Sequence, residues 1–231
     1  MRRRATELRL HEELLLLALR DDRGTLESRA GMYRHALAGA LLAELLLARR
    51  ISIGETKRKL VDLVDSAPLR DPLLTEALDL IASAKRRRAA ATWVGKLAGM
   101  KRLRHRIAER LCRRGILRES EGRVLLIFSR KVYPTVDPGP ERHLVERLRE
   151  AVYSDTEVRE PRTAILVALA HGTGLLAAHF PRKELRGRKR RLEAITSGDI
   201  VGEAAREAVR AAQAAVIAAA TAATVATTAG S

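Results

Sequence analysis

Aromatic residues make up 3% of this chain: one Trp, two Phe and three Tyr in 231 residues. A protein that stacks the bases of single-stranded nucleic acid needs more rings than that. Cysteine is scarcer still. Cys112 stands alone, which excludes an intramolecular disulfide and fits a reducing compartment. The six histidines (His11, His35, His105, His143, His171, His179) form no H-x-x-x-H pair and no Cys/His grouping at metal-ligand spacing, so no metal or cofactor is expected. No G-x-S-x-G nucleophile elbow occurs, and no other arrangement points to an enzyme. Long apolar runs are missing too. The longest uncharged stretch, Ala211 to Ser231, is built of Ala and Thr and is too weakly apolar to span a bilayer. Arg2-Arg3-Arg4 is followed by Glu7, Glu12 and Glu13, which interrupt the apolar segment of a signal peptide. The expected location is the cytoplasm, with the protein soluble or peripheral at a membrane.

What is abundant is Leu, Ala and Arg. An apolar content of 46% argues against disorder, and the 15 Gly and 7 Pro fall between periodic segments. This composition predicts a mainly α protein. Arg outnumbers Lys thirty-six to eight, which suits a GC-rich bacterial genome. That bias does not explain where the charges lie. Residues 85–114 hold twelve Lys or Arg against one acid, Glu109, within a chain of net charge +16. A second run, Arg182 to Arg191, holds seven bases against Glu184. A concentrated positive field attracts polyanions: phosphate headgroups, nucleic acid or an acidic protein.

Periodicity sets out the elements. Residues 10–20 form an apolar helix, with Leu14 to Leu17 buried on most sides, broken at Asp21-Asp22-Arg23-Gly24. Ser28 to Arg50 is helical, with Arg29, Arg34 and His35 facing outward. Arg50 to Ile53 and Lys59 to Leu63 pair as short strands around Gly54. Pro72 opens a helix whose inner stripe is Leu73, Leu74, Ala77, Leu78 and Ile81. Helices 89–98 and 101–114 follow, and Leu103, Ile107 and Leu111 turn the second toward the core. Residues 116–128 read as a β-hairpin turning at Glu119-Ser120-Glu121-Gly122. Helices 139–153, 161–171 and 182–196, then an Ala-rich helix from 200 to about 223, complete a single helical domain over 8–223. Residues 1–7 form a basic tail and 224–231 a frayed end.

Several local patterns invite chemistry. Gly172-Thr173-Gly174-Leu175-Leu176-Ala177 fits the G-x-G-x-x-A dinucleotide fingerprint, but no βαβ succession leads into it. Two helices joined at a glycine explain it better. His171 reads as a buried, hydrogen-bonded histidine at a helix end. Glu12 and Glu13 suit a helix N-terminus, where the dipole favours acids. Trp93 and Cys112 read as packing residues. The basic stripe admits two functional readings. One is an anionic membrane surface, worth about 1 kcal/mol per base near the lipid. The alternative is nucleic acid, with helix 101–114 as the reading element.

Four separated blocks, in order, resemble the Golgi phosphoprotein (GPP34) family. They are Leu10-His11-Glu12-Glu13-Leu14-Leu15-Leu16-Leu17-Ala18-Leu19-Arg20-Asp21, Leu41 to Leu45 with Arg50-Ile51, Arg104 to Ala108 with Gly115-Ile116-Leu117, and Arg162 to His171. The resemblance covers about residues 8 to 220. It implies an almost all-helical domain with a protruding hairpin and no enzymatic activity. Eukaryotic members bind phosphatidylinositol 4-phosphate in a shallow basic pocket, and also the tails of glycosyltransferases and vesicle coat. Two pocket arginines fall on Lys101 and Arg104; the family tryptophan falls near Arg29 and a third arginine near Ala38. Two of four pocket positions are therefore replaced, and Arg29 or Arg34 would supply the missing charge. The resemblance thus implies a headgroup site of Lys101, Arg104, Arg102, Arg106, Arg29 and Arg34. Leu125, Leu126, Ile127 and Phe128 of the hairpin would contact membrane or a second copy of the chain. The implied partners are an anionic phospholipid membrane and protein cargo.

Overall fold

A computed structural model describes residues 7–19, 24–26, 33–54, 56, 58–124, 128–201, 206 and 209–210, without the side chains of 122–124 and 128–130. The elements run α1 (Leu10–Ala18), α2 (Tyr33–Leu47), β1 (Ile51–Ile53), β2 (Leu60–Leu63), α3 (Pro72–Ala82), β3 (Arg88–Ala89), α4 (Ala90–Ala98) and α5 (Leu103–Arg113). After these come β4 (Ser120–Val124), β5 (Phe128–Val132), α6 (Gly139–Tyr153), α7 (Pro161–Gly172), α8 (Leu176–His179), α9 (Arg182–Gly187) and α10 (Lys189–Ser197). The fold is mainly α with two small antiparallel sheets, as expected. One contiguous buried cluster extends along the chain from Leu10 to Val209.

The hub is α1. All nine of its residues are buried, and α2, α5, α6 and α7 pack around it. Leucine explains most of that burial, since fully burying each such side chain contributes about 1.5–3 kcal/mol. His11, Glu12 and Glu13 are buried as well, so the acids are not the surface N-terminal residues that the helix dipole alone suggested. A buried charge survives only when paired and hydrogen-bonded. Each one here is met from a different helix. Glu12 forms an ion pair with Arg110 at 2.8 Å and accepts a hydrogen bond from Arg114 at 2.9 Å, both on or beside α5. Glu13 accepts from Arg147 of α6 at 2.6 Å. His11 lies 3.3 Å from Asp71, the N-cap of α3, which also accepts the Leu73 N–H at 3.0 Å and pairs with Arg110 at 2.7 Å. Glu44 of α2 accepts the Leu10 N–H at 2.7 Å and Arg162 of α7 at 2.5 Å.

The inner stripes of α3 and α5 are the predicted ones: Leu73, Leu74, Ala77, Leu78 and Ile81, then Leu103, Ile107 and Leu111. Strands β1 and β2 pair around Gly54 as expected, and β2 takes an unforeseen third partner, β3. Trp93 is core, whereas Cys112 is half-buried. Gly24, at φ 57°, does more than break a helix. Its backbone crosses Tyr133 and Pro134 so closely that a Cβ would lie 2.1 Å from the Pro134 nitrogen. Its carbonyl accepts the Tyr133 N–H at 3.0 Å.

Two boundaries moved. The hairpin pairs Ser120 with Val132 through Val124 with Phe128, so the polar residues read as its turn lie in β4. Ile116 and Leu117, read as its first strand, are core residues that follow the left-handed Gly115, at φ 73°. The ribbon needs no apolar face of its own, because Val132 and Tyr133 anchor its far end. The helix predicted over 182–196 breaks into α9 and α10 at Arg188, which leaves the helical register to donate to the Tyr153 carbonyl at 2.7 Å. Of the predicted Ala-rich helix beyond 200, most lies outside the described residues.

Removing one partner of a buried pair strands the other, at a cost of about 3–5 kcal/mol. Arg162→Ala is therefore expected to destabilise the protein by roughly that amount in urea unfolding, and a loss under about 1 kcal/mol would contradict the buried pair. Glu44, which that substitution strands, is otherwise held below the usual carboxylate range. Burial pushes its pKa upward, but the Arg162 guanidinium and the Leu10 N–H prevail.

Asp71 carries the same logic into pH. Burial raises its pKa, yet His11, Arg110 and the Leu73 N–H together lower it to about 2. A carboxyl with a depressed pKa in the fold stabilises above its unfolded value near 4 and loses that contribution as pH falls toward about 2. Between about pH 5 and pH 2, Asp71→Asn should show a shallower loss of unfolding free energy than the parent, by on the order of 2 kcal/mol. Equal slopes in the two proteins would contradict it.

Candidate phosphate-binding surface

The twelve bases of residues 85–114 do not form one field. The core stripe of α5 divides its arginines between two flanks. On one flank Arg110 and Arg114 turn inward to Glu12 and Asp71, and Arg106 pairs with Glu76 of α3 at 2.5 Å. Arg102 pairs with Glu109 at 3.1 Å, and Arg87 with Asp62. Among the described residues, Lys85, Arg86, Arg88, Lys96, Lys101, Arg104 and Arg113 have no carboxylate partner. Of the six headgroup residues expected, Arg106 is thus drawn toward α3.

Four of the others meet at the α4–α5 junction. Lys101 and Arg102 are exposed in the turn, and Arg104 lies one helical turn beyond Lys101. Arg34 crosses from α2 and donates to the Ala98 carbonyl at 3.0 Å, which ties it to the same junction. Ala38, near which the resemblance put a third arginine, is fully buried in α2. Arg29 lies outside the described residues, as do Leu125, Leu126 and Ile127 and the side chain of Phe128. The backbone of Phe128 opens β5.

The hairpin base supplies the wall behind Arg104, which sequence reasoning did not foresee. Arg104 reaches the Lys131 carbonyl at 3.4 Å and lies over the Tyr133 ring, 5.9 Å from its centroid. A guanidinium placed so gains cation–π attraction and loses rotamer freedom before any ligand arrives. Tyr133 is fully buried and its hydroxyl is 2.8 Å from His105 Nδ1. Burial, then Glu119 and Glu109, pushes the Tyr133 pKa to about 12. The His105 pKa is lowered first by burial and then by Arg104, Arg102 and Lys131, so the imidazole is neutral at pH 7. The only sign of this wall in the sequence is the closeness of Lys131, in β5, to Tyr133 just after it.

The glycine fingerprint at Gly172 to Ala177 lies at the end of α7 and in the turn to α8, and Ile165-Leu166-Val167 is helix. No strand–turn–helix cradle exists there. His171 is exposed at the end of α7 rather than buried, and it lines a groove together with residues of α9. Among the described residues, no group of three or more His, Cys, Asp or Glu is placed to hold a metal ion.

These features define a mainly α protein whose buried acids consume part of its arginine and leave Lys101 and Arg104 open beside the α4–α5 turn. A model of the family described as Golgi phosphoprotein 3 (GPP34) matches residues 10–212, and the chain belongs to that family. A relative, the vacuolar protein sorting-associated protein 74 of Eremothecium gossypii, is 26% identical over 205 residues. The match covers 75% of this chain and 61% of the relative, so the chain spans about three-fifths of that protein.

Arg102 has the left-handed backbone conformation, with φ 55°, at the start of α5. For a residue with a Cβ this costs roughly 1–2 kcal/mol, and its exposed pair with Glu109 offsets little of it. Arg102→Gly is expected to stabilise the fold by up to about 1 kcal/mol in chemical unfolding. A net loss of stability would mean that the ion pair outweighs the backbone.

Proposed function

We propose that this chain is a peripheral membrane protein that binds anionic phospholipid headgroups through Lys101 and Arg104, assisted by Arg34 and Arg102. The observation that carries the reading is the convergence of bases from α2 and α5 on one turn, where no carboxylate answers Lys101 or Arg104 among the described residues. Phosphate oxygens would complete what the fold leaves open, by charge-assisted hydrogen bonds. Lys101 contributes a point charge, whereas Arg104 offers a planar fork already set against Tyr133. Membership of the Golgi phosphoprotein family supports a membrane-linked role in general terms.

Among the described residues, no helix is long and apolar enough to cross a membrane, which agrees with docking on a surface rather than spanning it. Leu125, Leu126, Ile127 and Phe128, around the connection of β4 to β5, would add apolar contact with the bilayer or join two copies of the chain. The reading includes no covalent step. The name of the relative, a protein of vacuolar sorting, supports an adaptor role in which lipid recruits the chain and the chain recruits cargo. In a cytoplasm without phosphatidylinositol 4-phosphate, phosphatidylglycerol or cardiolipin would present the same phosphate chemistry.

Co-sedimentation with vesicles of neutral lipid, phosphatidylglycerol, cardiolipin and phosphatidylinositol 4-phosphate, with duplex DNA as competitor, tests the reading. Replacing Lys101 and Arg104 together by Ala removes two bases near the lipid, worth about 2 kcal/mol, so affinity should fall roughly thirtyfold. The melting temperature should hold. Unchanged vesicle binding would remove the site, and displacement by low concentrations of DNA would transfer the surface to nucleic acid.

A further inference from the structure

The second basic run is divided as the first one is. Arg188 donates to the Tyr153 carbonyl at 2.7 Å and to Asp155 at 3.0 Å. Arg191 donates to the carbonyls of Ala151 and Thr156, both at 2.7 Å. These two arginines fasten α10 to the end of α6. Glu184, the acid within the run, interacts with Tyr153. Among the other bases of the run, Arg182 and Arg186 lie one turn apart on the same face of α9, and neither has a carboxylate partner among the described residues.

That face looks into a groove of about 500 Å³ between α9–α10 and the α7–α8 turn. Leu176 and Leu192 floor it, Leu185 forms a wall, and His171 and Gly174 stand at the opposite side. Its volume suits a small ligand. The lining is mostly apolar, with bases gathered on one rim. Among the described residues Glu193 is the only carboxylate lining it, and Lys189 holds that group at 3.7 Å. Among the described residues no Phe, Tyr or Trp lines the groove to stack a base, and no free carboxylate is left to take ribose hydroxyls. A nucleotide therefore finds little here. An anion with an aliphatic body finds both halves of its chemistry.

We infer that this groove binds one membrane phospholipid, with its phosphate between Arg182 and Arg186 and the start of an acyl chain over Leu176, Leu185 and Leu192. The two arginines supply charge-assisted hydrogen bonds, and the leucines exclude water from the chain. The site shares no residue with the Lys101 surface. It shares only the lipid class with the function proposed above and stands or falls separately.

The test uses the full chain and a lipid that stays monomeric, dihexanoyl phosphatidylglycerol below its micellar threshold, titrated calorimetrically. Saturable one-to-one binding is expected. Arg182→Gln with Arg186→Gln should weaken it roughly tenfold or more, while Lys101→Ala with Arg104→Ala leaves it unchanged. Dihexanoyl phosphatidylcholine and inorganic phosphate, which lack the net anionic head and the chain respectively, should bind at least tenfold more weakly. No saturable binding, equal binding of the choline lipid, or indifference to the Arg182/Arg186 change would overturn the groove. So would tighter binding of NADH than of the lipid. Because the Lys101 surface is read by vesicle sedimentation and the groove by monomeric lipid, either can fail alone.

Discussion

The structure depends on a short helix that carries charge into the middle of the protein. A nine-residue α1 with every residue buried has to satisfy His11, Glu12 and Glu13 where water cannot reach. The solution is radial. Surrounding helices contribute an arginine or a carboxylate apiece: α5 for Glu12, α6 for Glu13, the α3 cap for His11, and α7 through Glu44 for the first turn of α1. Hydrophobic burial supplies the bulk of the free energy, but it has no direction. The pairs do have direction, and they fix which helix faces which residue of α1. Their net stabilisation is modest, since desolvation consumes much of the Coulomb attraction.

This arrangement changes the meaning of the arginine excess. Arg110, Arg114, Arg147 and Arg162 face inward, and Arg188 and Arg191 hold α10 on the end of α6. Arginine suits such positions because its guanidinium is weakly hydrated and can serve two acceptors at once. What remains outside is a smaller set of bases, gathered where neighbouring acids are already occupied. Glu12 and Asp71 draw one flank of α5 inward, and the opposite flank keeps Lys101 and Arg104 open. Structure and surface charge come from the same division of one helix.

Much of this fold was legible. Leucines at helical spacing gave the inner faces of α3 and α5, and Pro72 marked a helix start that Asp71 caps. What escaped was non-local. Glu12 and Glu13 look the same in sequence whether a helix begins at the surface or in the core. Their partners Arg114 and Arg147 lie 102 and 134 positions away. The hairpin shifted because Ile116 and Leu117 carry strand-like apolarity for a core reason, while the polar Ser120 and Glu121 pair within β4. β3 was hidden because two residues inside an arginine run carry no periodicity. The candidate site was half legible. Charge density singled out Lys101 and Arg104, but which bases are free depends on acids in α1 and α3 and on Arg34 arriving from α2.

The two ways in which arginine is used also differ in what can disturb them. Around α1 the acceptors are mostly carboxylates, which take up protons. At the junction of α10 with α6 they are mostly peptide carbonyls, which do not. Acid therefore reaches the hub through chemistry that the rim offers only at Asp155. Within the hub the acids do not yield together: burial raises the Glu13 pKa, so its tie to α6 is the first to weaken as pH falls, while Asp71 and Glu44 keep their charge into stronger acid.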